Sequence, residues 1–351
     1  MSVHFDVFDQ AALTDVIRRP LEARVEREPT IGERIAPLVP VQAREVKVQV
    51  RDVHAFGKGQ YRAPGATPPL FEPSMELREE VIELALLDEM HRIKDEDWLA
   101  LSSPDDNIRR KAGLSVVERG NILAIRNRRL TEDLRWQAFF GEATVTYQNG
   151  SQYVIDYGLP TDHSVSASVD WDTYGTSDPI ADLKAWQLLT ANKIGWYATQ
   201  IHMSSNTWEH LLESESLIEK LTGNDRGLYI PTREDVLTLL REGTEIVVTD
   251  AGYRDEGVGT HRGLNQLTKY LPDGKVLLTT PYTIEGERIA DMPDGQVIVS
   301  TGYNQAAPRQ GEQAETLLEH MSKTYFIRYA SARVPRIHHP GAFVVADVYT
   351  P

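Results

Sequence analysis

Residues 103–141, SPDDNIRRKAGLSVVERGNILAIRNRRLTEDLRWQAFFG, form the stretch that most limits what this chain can fold into. Ser-Pro-Asp-Asp offers side-chain oxygens to the first free N–H groups of a helix, and Gly141 suits the left-handed turn that ends one. Val116, Leu123, Leu130 and Leu134 share a face, with Ile108, Ala112 and Phe140 near the ends. At about 1.5 Å per residue, a helix over 105–140 reaches roughly 54 Å, more than the diameter of a small domain. Gly113 and Gly120, each about 1 kcal/mol poorer than alanine, mark where it would bend or divide.

The same segment is locally basic. Between 105 and 141 there are eight basic and five acidic side chains, inside a chain of 351 residues with net charge −15. So acidic a chain is a poor dedicated nucleic-acid binder, because phosphate neutralisation needs surplus Lys and Arg. The basic face therefore either pairs with acidic neighbours or turns toward a polyanion. With 41% hydrophobic and 25% charged residues the chain reads as globular. Cysteine is absent, which excludes disulfides, thiolate zinc sites, iron–sulfur clusters and cysteine nucleophiles, and fits a reducing cytoplasm. The opening twenty residues lack the basic start and apolar core of a secretory signal. Apolar-rich runs such as 81–87 are too short to span a bilayer.

Around the long segment the elements are shorter. Pro20, Pro29, Pro37 and Pro40 break residues 1–46 into pieces, as in an arm laid over another surface or a loose terminus. Val46, Val48 and Val50 alternate with polar residues as in a half-buried strand. HAFGKGQYRAPGATPPLFEP (54–73) is a long loop, and SMELREEVIELALLDEM (74–90) predicts a helix with Ser74 as N-cap. Asn149-Gly150 centres a hairpin over 141–158. Ser177 or Asp178, Pro179 and Gly195 bound a helix over 176–195. A strand (196–204), one helix (205–223), a helix with a following strand (232–251), a Pro-Asp-Gly turn between strands (269–281) and a last strand near 342–349 complete an α+β chain of two lobes.

Chemistry-bearing motifs are weak throughout. GVGTHRG (257–263) lacks the lysine and preceding strand of a phosphate loop. His338 and His339 point to opposite sides of an extended chain, which disfavours shared metal ligation. The Asp, His and Ser of PTDHS (160–164) are closer in sequence than triad members usually are. Asp170 and Asp172 flank Trp171 and are the one pair suited to a carbohydrate-active hydrolase, against the reading of a solvated loop. No catalytic, cofactor or metal site is expected.

Three stretches in order, SDPIADLKAW (177–186), NTWEHLLESESLIEKL (206–221) and YLPDGKVLL (270–278), resemble the lambda-like major capsid protein E family of tailed bacteriophages. The resemblance runs from about 43 to 351, and its weight lies in order and spacing. It implies a Hong Kong 97 fold: an N-terminal arm (1–46), an extended loop (47–75) and a peripheral domain (76–178) with a spine helix over 105–140 and the hairpin over 141–158. An axial domain (179–335) and a C-terminal strand returning to the core (336–351) would follow. It further implies pentamers and hexamers of an icosahedral head around double-stranded DNA, a separate scaffolding protein because residues 1–46 leave no room for a fused one, and a portal, and it leaves open whether a decoration protein binds outside. The location implied is the virion, assembled in the host cytoplasm, with no membrane. An encapsulin-like compartment of the same fold is the alternative. Under this reading Phe56, Tyr61, Arg62, Leu70 and Phe71 of the loop contact a neighbouring subunit, and Arg119, Arg126, Arg128 and Arg129 face the packaged DNA.

Overall fold

A single helix, Asp106–Phe139, spans the molecule in the computed structural model, which describes residues 29–50, 78–223, 229–254, 267–284, 286–302, 305–319 and 324–350. The Asp105 side chain caps it by accepting from Asn107 N–H at 2.8 Å, and Gly141 leaves it with φ +103°. Gly113 and Gly120 lie inside the helix and neither interrupts it. Ala112, Val116, Leu123 and Ala124 are buried on one side, whereas Leu130, expected on that face, is 45% exposed.

Two expectations give way. The helix expected over 74–90 is a pair of strands, Arg78–Glu83 and Ala85–Arg92. The first pairs antiparallel with Glu45–Val50, and the second with Thr324–Arg333. Burial there has period two: Ile82 and Leu84 are buried while Val81 and Glu83 are exposed. Ladder hydrogen bonds to distant strands override the helical preference of Leu, Glu and Met. The helix expected over 205–223 divides into Ser205–Glu213 and Glu215–Thr222. Ser214 between them takes an extended conformation and donates its hydroxyl to the Ser177 carbonyl at 3.1 Å.

Two sheets organise the chain. In the six-stranded sheet the path is Leu38–Pro40, Ala290–Asp294, Thr324–Arg333, Gln313–Glu319, with Ala85–Arg92 also on Thr324–Arg333 and Arg336–Ile337 also on Ala290–Asp294. The five-stranded sheet runs Ser164–Ser166, Phe343–Asp347, Lys275–Thr279, Gln200–Met203, Glu245–Val248. Ala290–Asp294 and Thr324–Arg333 thus pair with Leu38–Pro40 and Ala85–Arg92, segments that precede the long helix. The short helix Ile31–Ile35 rests on the long helix, and Leu38–Pro40 joins the six-stranded sheet, so the described part of the 1–46 segment is built into the fold.

The five-stranded sheet separates two cores. Ile201, Met203, Val276 and Leu278 point into the core shared with Leu183, Trp186, Leu211 and Val236 of the helices. Leu277 and Phe343 point the other way, toward Trp136 and Phe139 at the C-terminal end of the long helix. Phe139 and Phe343 stack there with centroids 5.4 Å apart. The alternation along each strand thus sets the helix bundle on one face and the long helix on the other.

Candidate functional site

The arginines of the long helix arise at a spacing that would put them on several faces, and most find acidic partners inside the chain. Arg126 makes a two-pronged contact with Glu89 at 3.0 and 3.1 Å. Arg128 grips Glu33 in the same way at 2.8 and 2.7 Å. Burial works against ionisation of Glu33, but the hydrogen bonds from Arg128 and from Thr30 N–H outweigh it and hold the carboxyl below the usual range. Arg119 pairs with Asp97 and donates to the Arg92 carbonyl at 3.2 Å. Arg129 is exposed, and its guanidinium has no ion-pair partner among the described residues. The geometry therefore realises the pairing of the basic face with acidic neighbours for three of the four positions.

Beside these pairs lies a groove of about 1140 Å³ between the strand Ala85–Arg92, the long helix and the hairpin strand Glu142–Thr146. Leu86, Met90 and Ile122 line it and are half or more exposed. The strand bonds to Thr324–Arg333 along one edge, and no other ladder to it exists among the described residues. An apolar groove with an open strand edge is the kind of surface another chain covers.

A second charged cluster is buried. Glu132 accepts from Thr30 Oγ1 (2.7 Å), Gly32 N (2.9 Å), Trp136 Nε1 (3.1 Å) and Arg135 Nη1 (3.3 Å), and Arg135 also donates to the Ala36 carbonyl at 3.0 Å. It fastens the chain before the first strand to the long helix. Sequence reasoning missed it, although Glu132 and Arg135 sharing a face with Phe139 was the available sign.

The remaining candidates scatter. Phe56, Tyr61, Arg62, Leu70 and Phe71 lie outside the described residues, as does 257–263. Asp170 and Asp172 are exposed, while Trp171 between them is fully buried and donates its indole N–H to Asp182 at 3.1 Å. That tryptophan is a core anchor with two solvated neighbours. His338 lies 3.1 Å from Asp291, whereas the buried His339 turns toward Glu287, so the adjacent histidines do diverge. His163 is buried with Nδ1 2.8 Å from the Phe343 carbonyl, and Ser164 is exposed, so they make no triad. Among the described residues no group of three or more His, Cys, Asp or Glu side chains could hold a metal. No helix among them is long and apolar enough to cross a membrane.

Comparison with known proteins then places the chain. A family model described as phage major capsid protein E matches residues 123–342. No curated protein matches the chain. Among solved structures, a phage-related protein from Bordetella bronchiseptica RB50 is similar with a TM-score of 0.55 at 16% identity, covering 97% of this chain and 96% of that one. A putative prophage capsid protein from E. coli CFT073 gives 0.53 at 14% identity, covering 94% and 98%. The mature capsid of bacteriophage PhiM1 gives 0.50 at 11% identity, covering 92% and 88%. At such identities these three likenesses speak for the fold.

Proposed function

From the premise that the chain belongs to the phage major capsid protein E family and carries the Hong Kong 97-like α+β fold, we propose that its copies close into pentamers and hexamers of a tailed-phage head. The protein is a major capsid protein, a structural component of the virion. The observation that carries the reading beyond the family is the long helix with its uncovered apolar flank. Ile108, Ile122 and Leu130 share one side of it at helical spacing and stand 45, 52 and 45% exposed, a surface that one copy leaves open and a neighbour would cover. Ring contacts in such a shell are heterologous, so two different surfaces of one subunit meet in each joint.

The finer parts of the reading follow from the family. The loop residues Phe56, Tyr61, Arg62, Leu70 and Phe71 contact the next subunit, in keeping with the preference of interfaces for aromatics and arginine. A separate scaffolding protein and a portal complete the particle, which is assembled in the host cytoplasm. The protein performs no catalysis. DNA is held through weak, sequence-independent phosphate contact, which suits a helix whose arginines are mostly neutralised by its own chain.

Electron microscopy of the protein expressed with its neighbouring genes tests the central claim. Rings or shells are expected; a monodisperse monomer with glycosidase activity lost in Asp170→Ala would overturn it. For the DNA-facing role, Arg126→Glu with Arg129→Glu is expected to leave assembly intact and impair DNA retention. Because Arg126 is bonded to Glu89, Arg129→Glu alone separates the two causes. Wild-type packaging in both variants counts against an inward-facing helix.

A further inference from the structure

In the body built on the five-stranded sheet, a cleft of about 370 Å³ opens between helix Ser205–Glu213, Tyr174, Asp273 and Tyr349. Its wall is aromatic. Tyr174 stacks on His210 with centroids 5.7 Å apart, and His210 meets Tyr349 nearly edge-on at 4.6 Å. The Tyr174 hydroxyl lies 2.8 Å from His210 Nδ1, which fixes the three rings against one another.

Of the three carboxylates that line the opening, Asp273 is paired with Lys269, while Glu209 and Glu213 have no ion-pair partner among the described residues. Glu209 and Glu213 stand one turn apart on the same helix, both exposed, and like charges at that spacing repel. Glu209 has no hydrogen-bond or ion-pair partner among the described residues. Glu213 bonds to the Tyr174 hydroxyl, and that bond, helped by the charges of Glu213 and Asp172, pushes the ionisation of Tyr174 up. Nearby lysines leave these two glutamates unmatched: Lys269 lies 2.8 Å from both Asp250 and Asp273, Lys275 lies 2.7 Å from Asp347, and Lys220 is paired with Asp178.

We propose that this cleft receives a lysine or arginine side chain of a neighbouring copy in the shell, an inference that rests on the capsid reading above. Aromatic rings and carboxylates together select a cation, because the ring quadrupole and the negative charges both attract it. The volume admits one side chain rather than a folded partner, and the negative field repels phosphate. A heterologous ring contact supplies an unlike surface to an acidic socket. Helix Pro179–Ile194 of the same body offers Lys184 and Lys193, both exposed and without a partner among the described residues.

The test uses the full chain expressed with its neighbouring genes. Glu209→Lys with Glu213→Lys is expected to give a subunit with the circular dichroism and melting temperature of the wild type. Its yield of rings and shells should fall by roughly tenfold or more, as when an interfacial charge pair turns repulsive. Glu209→Gln with Glu213→Gln keeps the shape, and should remove the part of the salt dependence of assembly that the wild type shows. Wild-type shell yield in the folded lysine variant, or unchanged salt dependence in the glutamine variant, overturns the proposal. If the wild-type chain itself forms neither rings nor shells, the capsid reading fails and takes this inference with it.

Discussion

Glu132 is the residue on which the start of the described chain depends. It is 3% exposed, sits within hydrogen-bond reach of Thr30, Gly32, Arg135 and Trp136, and is the counter-ion of an arginine that is itself 1% exposed. Removing it strands a buried guanidinium, so Glu132→Ala should cost about 3–5 kcal/mol in urea unfolding of the subunit. Gly32 is constrained by the same carboxylate, because a Cβ there would lie 2.6 Å from both of its oxygens. A second buried group sets a pH response. His202 is fully buried against the edge of Trp136, and neither ring nitrogen has a hydrogen-bond partner among the described residues. Burial, reinforced by the charge of Arg34, pulls its pKa down to about 4. With an unfolded value of about 6.5, the unfolded chain binds the extra proton between the two. Stability is thus whole above about pH 6.5 and declines as pH falls toward 4, by about 3 kcal/mol for this one group. Urea midpoints of wild type and His202→Leu, compared from pH 7 to pH 4, should diverge by that amount, the variant falling less. Parallel curves would show that His202 is not the responsible group.

At the scale of elements, the long helix divides its work between a buried side and an open one. Ile122→Glu with Leu130→Glu alters only half-exposed positions, so the subunit should lose less than about 1 kcal/mol, the ordinary range for surface changes. Shells should nevertheless fail to form, as micrographs of the variant beside its melting curve would show. Which elements were legible in the sequence follows from where their determinants lie. The helices Asp106–Phe139 and Pro179–Ile194 announce themselves because their caps, Asp105, Asp178 and Gly195, are local. Asn149-Gly150 sets its hairpin for the same reason, with Gly150 at φ +82°. The strands at 78–92 are hidden because Leu, Glu and Met favour a helix until Glu45–Val50 and Thr324–Arg333 present their edges. The break at Ser214 depends on the Ser177 carbonyl, which no window around residue 214 contains. The candidate surface was half legible: the arginines could be counted, but not Glu33, Glu89 and Asp97 waiting opposite three of them.

At the scale of the whole molecule, the proposed contact of the loop with a neighbouring subunit is tested by deletion. Deleting residues 57–69 should leave a subunit with unchanged circular dichroism that no longer builds stable shells; normal shells would remove the loop from the joint. The five-stranded sheet carries a further consequence. Its second strand, Phe343–Asp347, lies between Ser164–Ser166 and Lys275–Thr279 and pairs with both. A nascent chain therefore holds two strands with an empty place between them until that segment leaves the ribosome. At about 5–20 residues per second, the wait after the Lys275–Thr279 strand is on the order of several seconds. Growing chains crowded on one messenger carry sheets that are still open. An unfilled place between two strands offers unpaired N–H and C=O groups, so the sheet stays open to wrong partners until Phe343–Asp347 occupies it.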